Sequence, residues 1–126
     1  MRPHLLDTHV LLWFLGEPDR LSETTRSLIE NRGNRMLVSA ATAWEIAIKR
    51  ALGRLDCPAN LEEILADQHF ESLSISIAHA LEVASLPLHH GDPFDRMLVA
   101  QAKLEGATIV TADARLAEYG VPIHTA

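Results

Sequence analysis

With 126 residues, 48% of them hydrophobic, the chain has the length of one domain and enough apolar surface to fill a core without cross-links. Its single cysteine, Cys57, excludes an internal disulfide framework and fits a reducing compartment. A formal net charge of −6 argues against a general nucleic-acid coat, but not against a nuclease whose acids gather around cations.

Pro3 to Leu6 reads as a first strand ending at Asp7, and Thr8 to Leu15 as a helix, apolar nearly all round and so covered on most sides. Glu17-Pro18-Asp19 breaks that helix, and Ser22 to Asn31 forms a surface helix with Leu28 and Ile29 inward. Met36-Leu37-Val38 is a second strand, followed by a helix from Ala41 to Leu52 that Gly53 ends. Asn60 with Glu63 has the form of a capping pair opening a helix to His69. Leu73 to Ile75 is a short strand, and Ser76 caps a helix to Leu86. Pro87 to Gly91 is loop, with Cys57-Pro58 another. Asp92-Pro93 starts the next helix, proline at its first position, and Gly106 ends it. Thr108 to Val110 is a strand, Ala114 to Glu118 a short helix, and Pro122 to His124 a last edge strand.

Strands separated by helices require crossover connections, hence a mainly parallel central sheet flanked by helices on both faces. The fold class is α/β, one domain over residues 1–126 with no repeat or linker dividing it. The start, Met1-Arg2-Pro3-His4, lacks the pattern of a secretory signal, and the longest apolar run, Val10 to Leu15, falls far short of the ~20 residues a bilayer span needs. The reading is of a soluble, cytoplasmic protein with no membrane contact.

In such a sheet ligands bind beyond the carboxyl ends of the strands. Asp7 lies just past the first strand and Asp113 just past Val110-Thr111. Glu45 is one turn into the helix after the second strand, and Asp95 sits in the first turn of the helix that Asp92 opens. Four carboxylates on one rim push one another toward protonation unless a cation joins them. Mg²⁺ or Mn²⁺, which prefer carboxylate and water, would relieve this and activate a water against a phosphodiester. Each acid also has a structural reading, because helix N-termini favour acids. Asp7 and Asp113 fit N-caps, and Thr42 with Glu45 and Asp92 with Asp95 fit capping boxes.

Four segments bear on that choice: Leu6-Asp7-Thr8-His9-Val10-Leu11-Leu12-Trp13, Ser39-Ala40-Ala41-Thr42-Ala43-Trp44-Glu45-Ile46, His90-Gly91-Asp92-Pro93-Phe94-Asp95-Arg96-Met97-Leu98-Val99-Ala100-Gln101-Ala102, and Val110-Thr111-Ala112-Asp113. In order and content they resemble the motifs of PIN domains in the VapC toxin family, and they span essentially the whole chain. The resemblance implies a metal-dependent endoribonuclease, the toxin of a VapBC toxin–antitoxin pair. It implies that Asp7, Glu45, Asp95 and Asp113 form a catalytic site holding Mg²⁺ or Mn²⁺, with Thr8 and Thr111 as polar neighbours that, with Arg96, would bind the substrate, and Asp92 left to capping. Hydrolysis would leave a 5′-phosphate and a 3′-hydroxyl on the RNA. A VapB-type antitoxin would cover the acidic groove, and a homodimer would form, for which Val10 to Leu15 and the segment after Glu17 are candidates. Leu116 stands where relatives often carry an aromatic, a packing change.

Arg96 could hold a substrate phosphate or pair with a site carboxylate, a surface arginine being the bland alternative. Lys49, Arg50 and Arg54 read as a solvated helix end, although an RNA-facing strip is the other reading. His89 and His90 beside Asp92 lack a third ligand at recognisable spacing, so loop is the better reading. Trp13, Phe14 and Trp44 read as core or interface aromatics rather than stacking platforms, since only 5% of residues are aromatic. A phospho-accepting regulatory domain would want an acid pair after the first strand, and a haloacid dehalogenase-type phosphatase Asp-x-Asp; Asp7-Thr8-His9 supplies neither. A non-catalytic PIN-like or phospho-regulatory binding module is the alternative function.

Overall fold

The chain alternates strands and helices: β1 (His4–Leu6), α1 (Thr8–Gly16), α2 (Glu23–Glu30), β2 (Met36–Ser39), α3 (Ala40–Ala51), α4 (Leu61–Asp67), β3 (Glu71–Leu73), α5 (Ile77–Glu82), α6 (Pro93–Glu105), β4 (Thr108–Thr111) and β5 (Ile123–Thr125). The structure is a computed structural model that describes residues 2–89 and 91–126. All strand pairs are parallel, in the order β3-β2-β1-β4-β5. The chain builds outward from β1 to β3, then returns to lay β4 and β5 on the other side. The order therefore reverses between β1 and β4, which makes a crevice at their carboxyl ends.

The period of two along each strand divides the core into two layers. Leu5, Leu37 and Ile109 pack with Leu98, Val99 and Ala102 of α6 on one face. Leu6, Val38 and Val110 pack with Val10 and Leu11 of α1, Ile29 of α2 and Ile46 of α3 on the other. Helices thus cover both faces, as the alternation of elements requires. Leu116 is fully buried in the first layer, consistent with a packing role. Among the described residues no helix is long and apolar enough to cross a membrane.

Several boundaries differ from expectation for local reasons. β3 covers Glu71–Leu73 rather than 73–75, because its backbone pairs Glu71, Ser72 and Leu73 with Leu37, Val38 and Ser39. As an edge strand it tolerates the charge of Glu71, which bridges to Arg35 at 2.9 Å. Asn60 makes no side-chain cap to α4, so the expected box with Glu63 does not form. α3 starts at Ala40 under a Ser39 cap, leaving Thr42 inside the first turn and Glu45 out of any capping box. The segment Ala114–Tyr119 is 3-10 rather than α-helical. In α1, Val10 and Leu11 are fully buried and Leu12 to Leu15 half-buried, so much of the stretch expected at a dimer surface faces the core.

Candidate active site

Asp7 leaves β1 at the crevice. Its carboxylate caps α1 by accepting the Val10 N–H at 2.8 Å, and it also accepts the Thr111 hydroxyl from the end of β4. The cap and the crevice are one place, because α1 begins where β1 stops. Asp7 is only 6% exposed, and burial pushes its pKa above the ordinary carboxylate value. The Thr111 and Val10 hydrogen bonds and nearby His9 pull the other way, while the charge of Glu45 adds to the rise.

Thr111 joins two of the acids. Its hydroxyl donates to Asp7 and accepts the Asp113 N–H at 2.9 Å. Asp113 caps the 3-10 turn through the Arg115 N–H at 3.0 Å, and its two carboxylate oxygens accept Arg115 Nε at 2.9 Å and Nη2 at 2.8 Å. That fork holds the Arg115 pKa above its usual value.

Glu45 reaches the crevice from α3 and is 3% exposed. One oxygen accepts the Thr8 hydroxyl at 2.6 Å, and the other accepts Lys49 Nζ at 2.5 Å from one helical turn along. Thr8 also meets the Thr42 hydroxyl at 3.4 Å. The Glu45 hydrogen bond raises the Lys49 pKa, with the charges of Glu45, Asp92 and Asp95 adding to it.

Asp92 is the N-cap of α6, accepting the N–H groups of Phe94 at 2.8 Å and Asp95 at 3.4 Å. That cap sets the first turn, on which Asp95 stands half-buried. The charge of Asp95 acts on both Lys49 and Arg115, which puts it within electrostatic reach of both arms of the site. A buried network anchors α6 to β2: the Ser39 hydroxyl donates to Gln101 Oε1 at 2.5 Å, and Gln101 Nε2 donates to the Ser74 carbonyl at 3.3 Å.

Hydrogen bonds thus join Asp7, Thr111 and Asp113 in one group and Thr8 and Glu45 in another, the charge of Glu45 acts on Asp7, and that of Asp95 acts on Lys49 and Arg115. The carboxylates do not close into a ligand shell: among the described residues no three of His, Cys, Asp and Glu stand together as a metal cage. The donors are all carboxylate and hydroxyl oxygens, which fits a hard divalent cation in chemistry. Here Lys49 and Arg115 supply the positive charge.

Arg96 is directed elsewhere. Its guanidinium donates to the carbonyls of Pro87 at 2.9 Å, Val83 at 3.1 Å and Leu86 at 3.4 Å, and to the Tyr119 hydroxyl at 3.3 Å. Through these bonds it fastens the loop before α6. Trp44, expected in a core or interface, is 60% exposed and stands edge-on to Phe94 at 5.2 Å. His89 lies against Tyr119 and 3.7 Å from Glu118, and His90 falls outside the described residues. Sequence reasoning missed Arg115 and left Lys49 to solvent. Their signals were spacing: Lys49 follows Glu45 by four residues, and Arg115 follows Asp113 by two.

The sequence pattern of the PIN domain matches residues 4–122. The chain belongs to the PIN-domain family. As a PIN domain it is 31% identical over 121 residues to the protein named Ribonuclease VapC22 of Mycobacterium tuberculosis (strain ATCC 25618 / H37Rv), covering 94% of this chain and 92% of that one. The same PIN fold is found in DNA-bound VapBC from Salmonella typhimurium, with a TM-score of 0.73, 20% identity and coverage of 99% of this chain and 98% of that one. VapBC2 from Rickettsia felis, bound to a DNA fragment from its promoter, superposes with a TM-score of 0.74 at 14% identity, over 97% of each chain.

Proposed function

We propose that this PIN-domain protein is an endoribonuclease of the VapC kind, the toxin of a toxin–antitoxin pair. The observation that carries the reading is the junction at the β1–β4 crevice, where buried Asp7 is tied through Thr111 to Asp113. The likeness to a VapC ribonuclease along nearly the whole chain supports it. Asp7, Asp95 and Asp113 would hold Mg²⁺ or Mn²⁺, with Glu45 a further ligand directly or through water. A bound divalent ion supplies positive charge to the phosphate and an acidified water.

The chain's own part is orientation and exclusion of solvent. Thr111 and the Val10 N–H aim the Asp7 carboxylate, and Thr8 aims that of Glu45. Burial of Asp7 and Glu45 keeps water from screening their charges. The neighbouring VapBC structures support a VapB-type antitoxin as partner, and the proposal places the pair in the cytoplasm.

The test pairs wild type with Asp7→Asn on a pool of structured RNAs, with Mn²⁺ and with chelator, folding checked by circular dichroism. Wild type is expected to cut only with metal, leaving 5′-phosphate ends, and the folded variant to cut at least ~100-fold more slowly. Cyclic phosphate ends, or equal cutting in chelator, would overturn the reading.

A further inference from the structure

A site built from carboxylates has to admit a phosphodiester, which carries negative charge of its own. Asp7, Glu45, Asp92, Asp95 and Asp113 all lie on or beside the crevice, in a chain whose net charge is −6. Beside the charge a divalent ion would bring, cations of the chain can meet the substrate, and among the described residues Lys49 and Arg115 stand at the rim. Arg115 has two arms of its fork committed to the two oxygens of Asp113. Lys49 differs: among the described residues its hydrogen bond runs to Glu45, and an ammonium has three N–H donors.

We propose that Lys49 is a substrate-facing residue of this site, its ammonium contacting a phosphate of the RNA backbone, and that buried Glu45 is the residue that positions it. The inference rests on the ribonuclease reading and adds a residue to it. Three observations carry it. The Glu45 side chain is 4% exposed whereas that of Lys49 is 39% exposed, so the pair has a fixed inner end and an open outer end. Both Glu45 oxygens are occupied, by Thr8 at 2.6 Å and Lys49 at 2.5 Å, which fixes the carboxylate and through it the ammonium. The Glu45 carboxylate that holds the ammonium at 2.5 Å is itself buried beside Thr8 at the crevice, which brings the ammonium to the crevice end of the pair. A positive charge held in place before substrate arrives needs no reorganisation to meet the phosphate.

The test uses the full chain with Lys49→Gln and Lys49→Arg. Glutamine can still donate a hydrogen bond to Glu45 but carries no charge; arginine keeps the charge. Binding of a fluorescein-labelled single-stranded RNA is followed by anisotropy in EDTA over a KCl series, so that nothing is cleaved. Loss of one phosphate contact should reduce the slope of log K against log salt by about 0.7 in Lys49→Gln and weaken low-salt binding about tenfold. Lys49→Arg should keep the wild-type slope. With Mn²⁺, Lys49→Gln should cleave about 10- to 100-fold more slowly, the range for one charged hydrogen bond.

An unchanged slope in a folded Lys49→Gln protein overturns the proposal, and so does a Lys49→Arg protein that loses as much as the glutamine variant. If Lys49→Gln does not fold, the double variant Glu45→Gln/Lys49→Gln leaves no uncompensated buried charge, and its salt slope in EDTA is read against that of Glu45→Gln. A wild type that cleaves RNA yet does not bind it in EDTA overturns this inference alone. A wild type that neither binds nor cleaves RNA overturns the ribonuclease reading with it.

Discussion

The Asp7 carboxylate stands at the end of β1, held by the Val10 N–H and the Thr111 hydroxyl and almost entirely out of water. Burial raises its pKa from the ordinary 3.8, so above that pH the folded state binds more protons there than the unfolded chain does. Stability from this group is present below pH 3.8 and is lost as pH rises through the folded-state pKa. Asparagine can accept the Val10 N–H through Oδ1 and donate from Nδ2 to the Thr111 hydroxyl oxygen, without a charge. Asp7→Asn is therefore expected to be more stable than wild type by about 1 kcal/mol at neutral pH in chelator, while losing cleavage. Urea melts at several pH values check this; the advantage should fade below pH 3.8. A variant less stable than wild type at every pH would mean that the native hydrogen bonds to the carboxylate outweigh its desolvation.

At the scale of elements, α6 delivers Asp95 to the crevice, and its position depends on groups outside the site. Asp92 caps its first turn, and Gly106 takes the left-handed conformation, φ 65°, that ends it. Asp92→Ala should lower stability by about 1 kcal/mol and reduce cleavage as well, because the turn that frays carries Asp95. Arg96, one residue further, ties three carbonyls of the preceding loop. Arg96→Gln should destabilise the protein by about 1–2 kcal/mol and leave the salt slope of RNA binding unchanged. A reduced slope would favour the phosphate-binding alternative for Arg96. Thermal melts and the same anisotropy series distinguish the two outcomes. Behind α6, the Ser39–Gln101–Ser74 bonds lock it to the end of β2, and His79 closes the network by accepting the Ser76 N–H and meeting Glu105 at 2.9 Å.

Across the whole molecule, the reversal of strand order at β1 brings residues more than a hundred positions apart into one hydrogen bond. The same packing leaves apolar side chains outside. Trp44 and Ile48 on α3 and Leu52 just past its end recur at one helical spacing, and Ile77 and Leu81 do so on α5, all exposed. Trp44, Ala80, Val83 and Phe94 line a common groove of about 220 Å³ between these helices. Singly such residues are ordinary; repeated on neighbouring helices they are the kind of patch that subunits cover. α3 and α5 are therefore proposed, beside Val10 to Leu15 and the segment after Glu17, as a candidate surface for the homodimer that the resemblance implies. Sedimentation velocity should show a dimer for wild type and a monomer for Leu81→Lys. A monomeric wild type would remove the dimer, and an intact Leu81→Lys dimer would move its surface elsewhere.

Much of this was legible in the one-dimensional pattern. Strand–helix alternation alone required a parallel sheet between helices, and Ser22, Ser76, Asp92 and Gly106 declared helix ends through side-chain or backbone chemistry that acts within a few residues. Asp7, Glu45, Asp95 and Asp113 could be singled out because each follows a strand or opens a helix, and the motifs around them pointed to the PIN family. What sequence could not decide was every property set by contact between distant segments. β3 took its register from β2's backbone and not from its own apolar residues. Arg96 was drawn to loop carbonyls, while Lys49, read as a solvated helix end, was drawn to Glu45. Only the folded sheet decides which charges meet, because Coulomb energies and hydrogen bonds depend on distances of a few ångströms that sequence spacing does not specify.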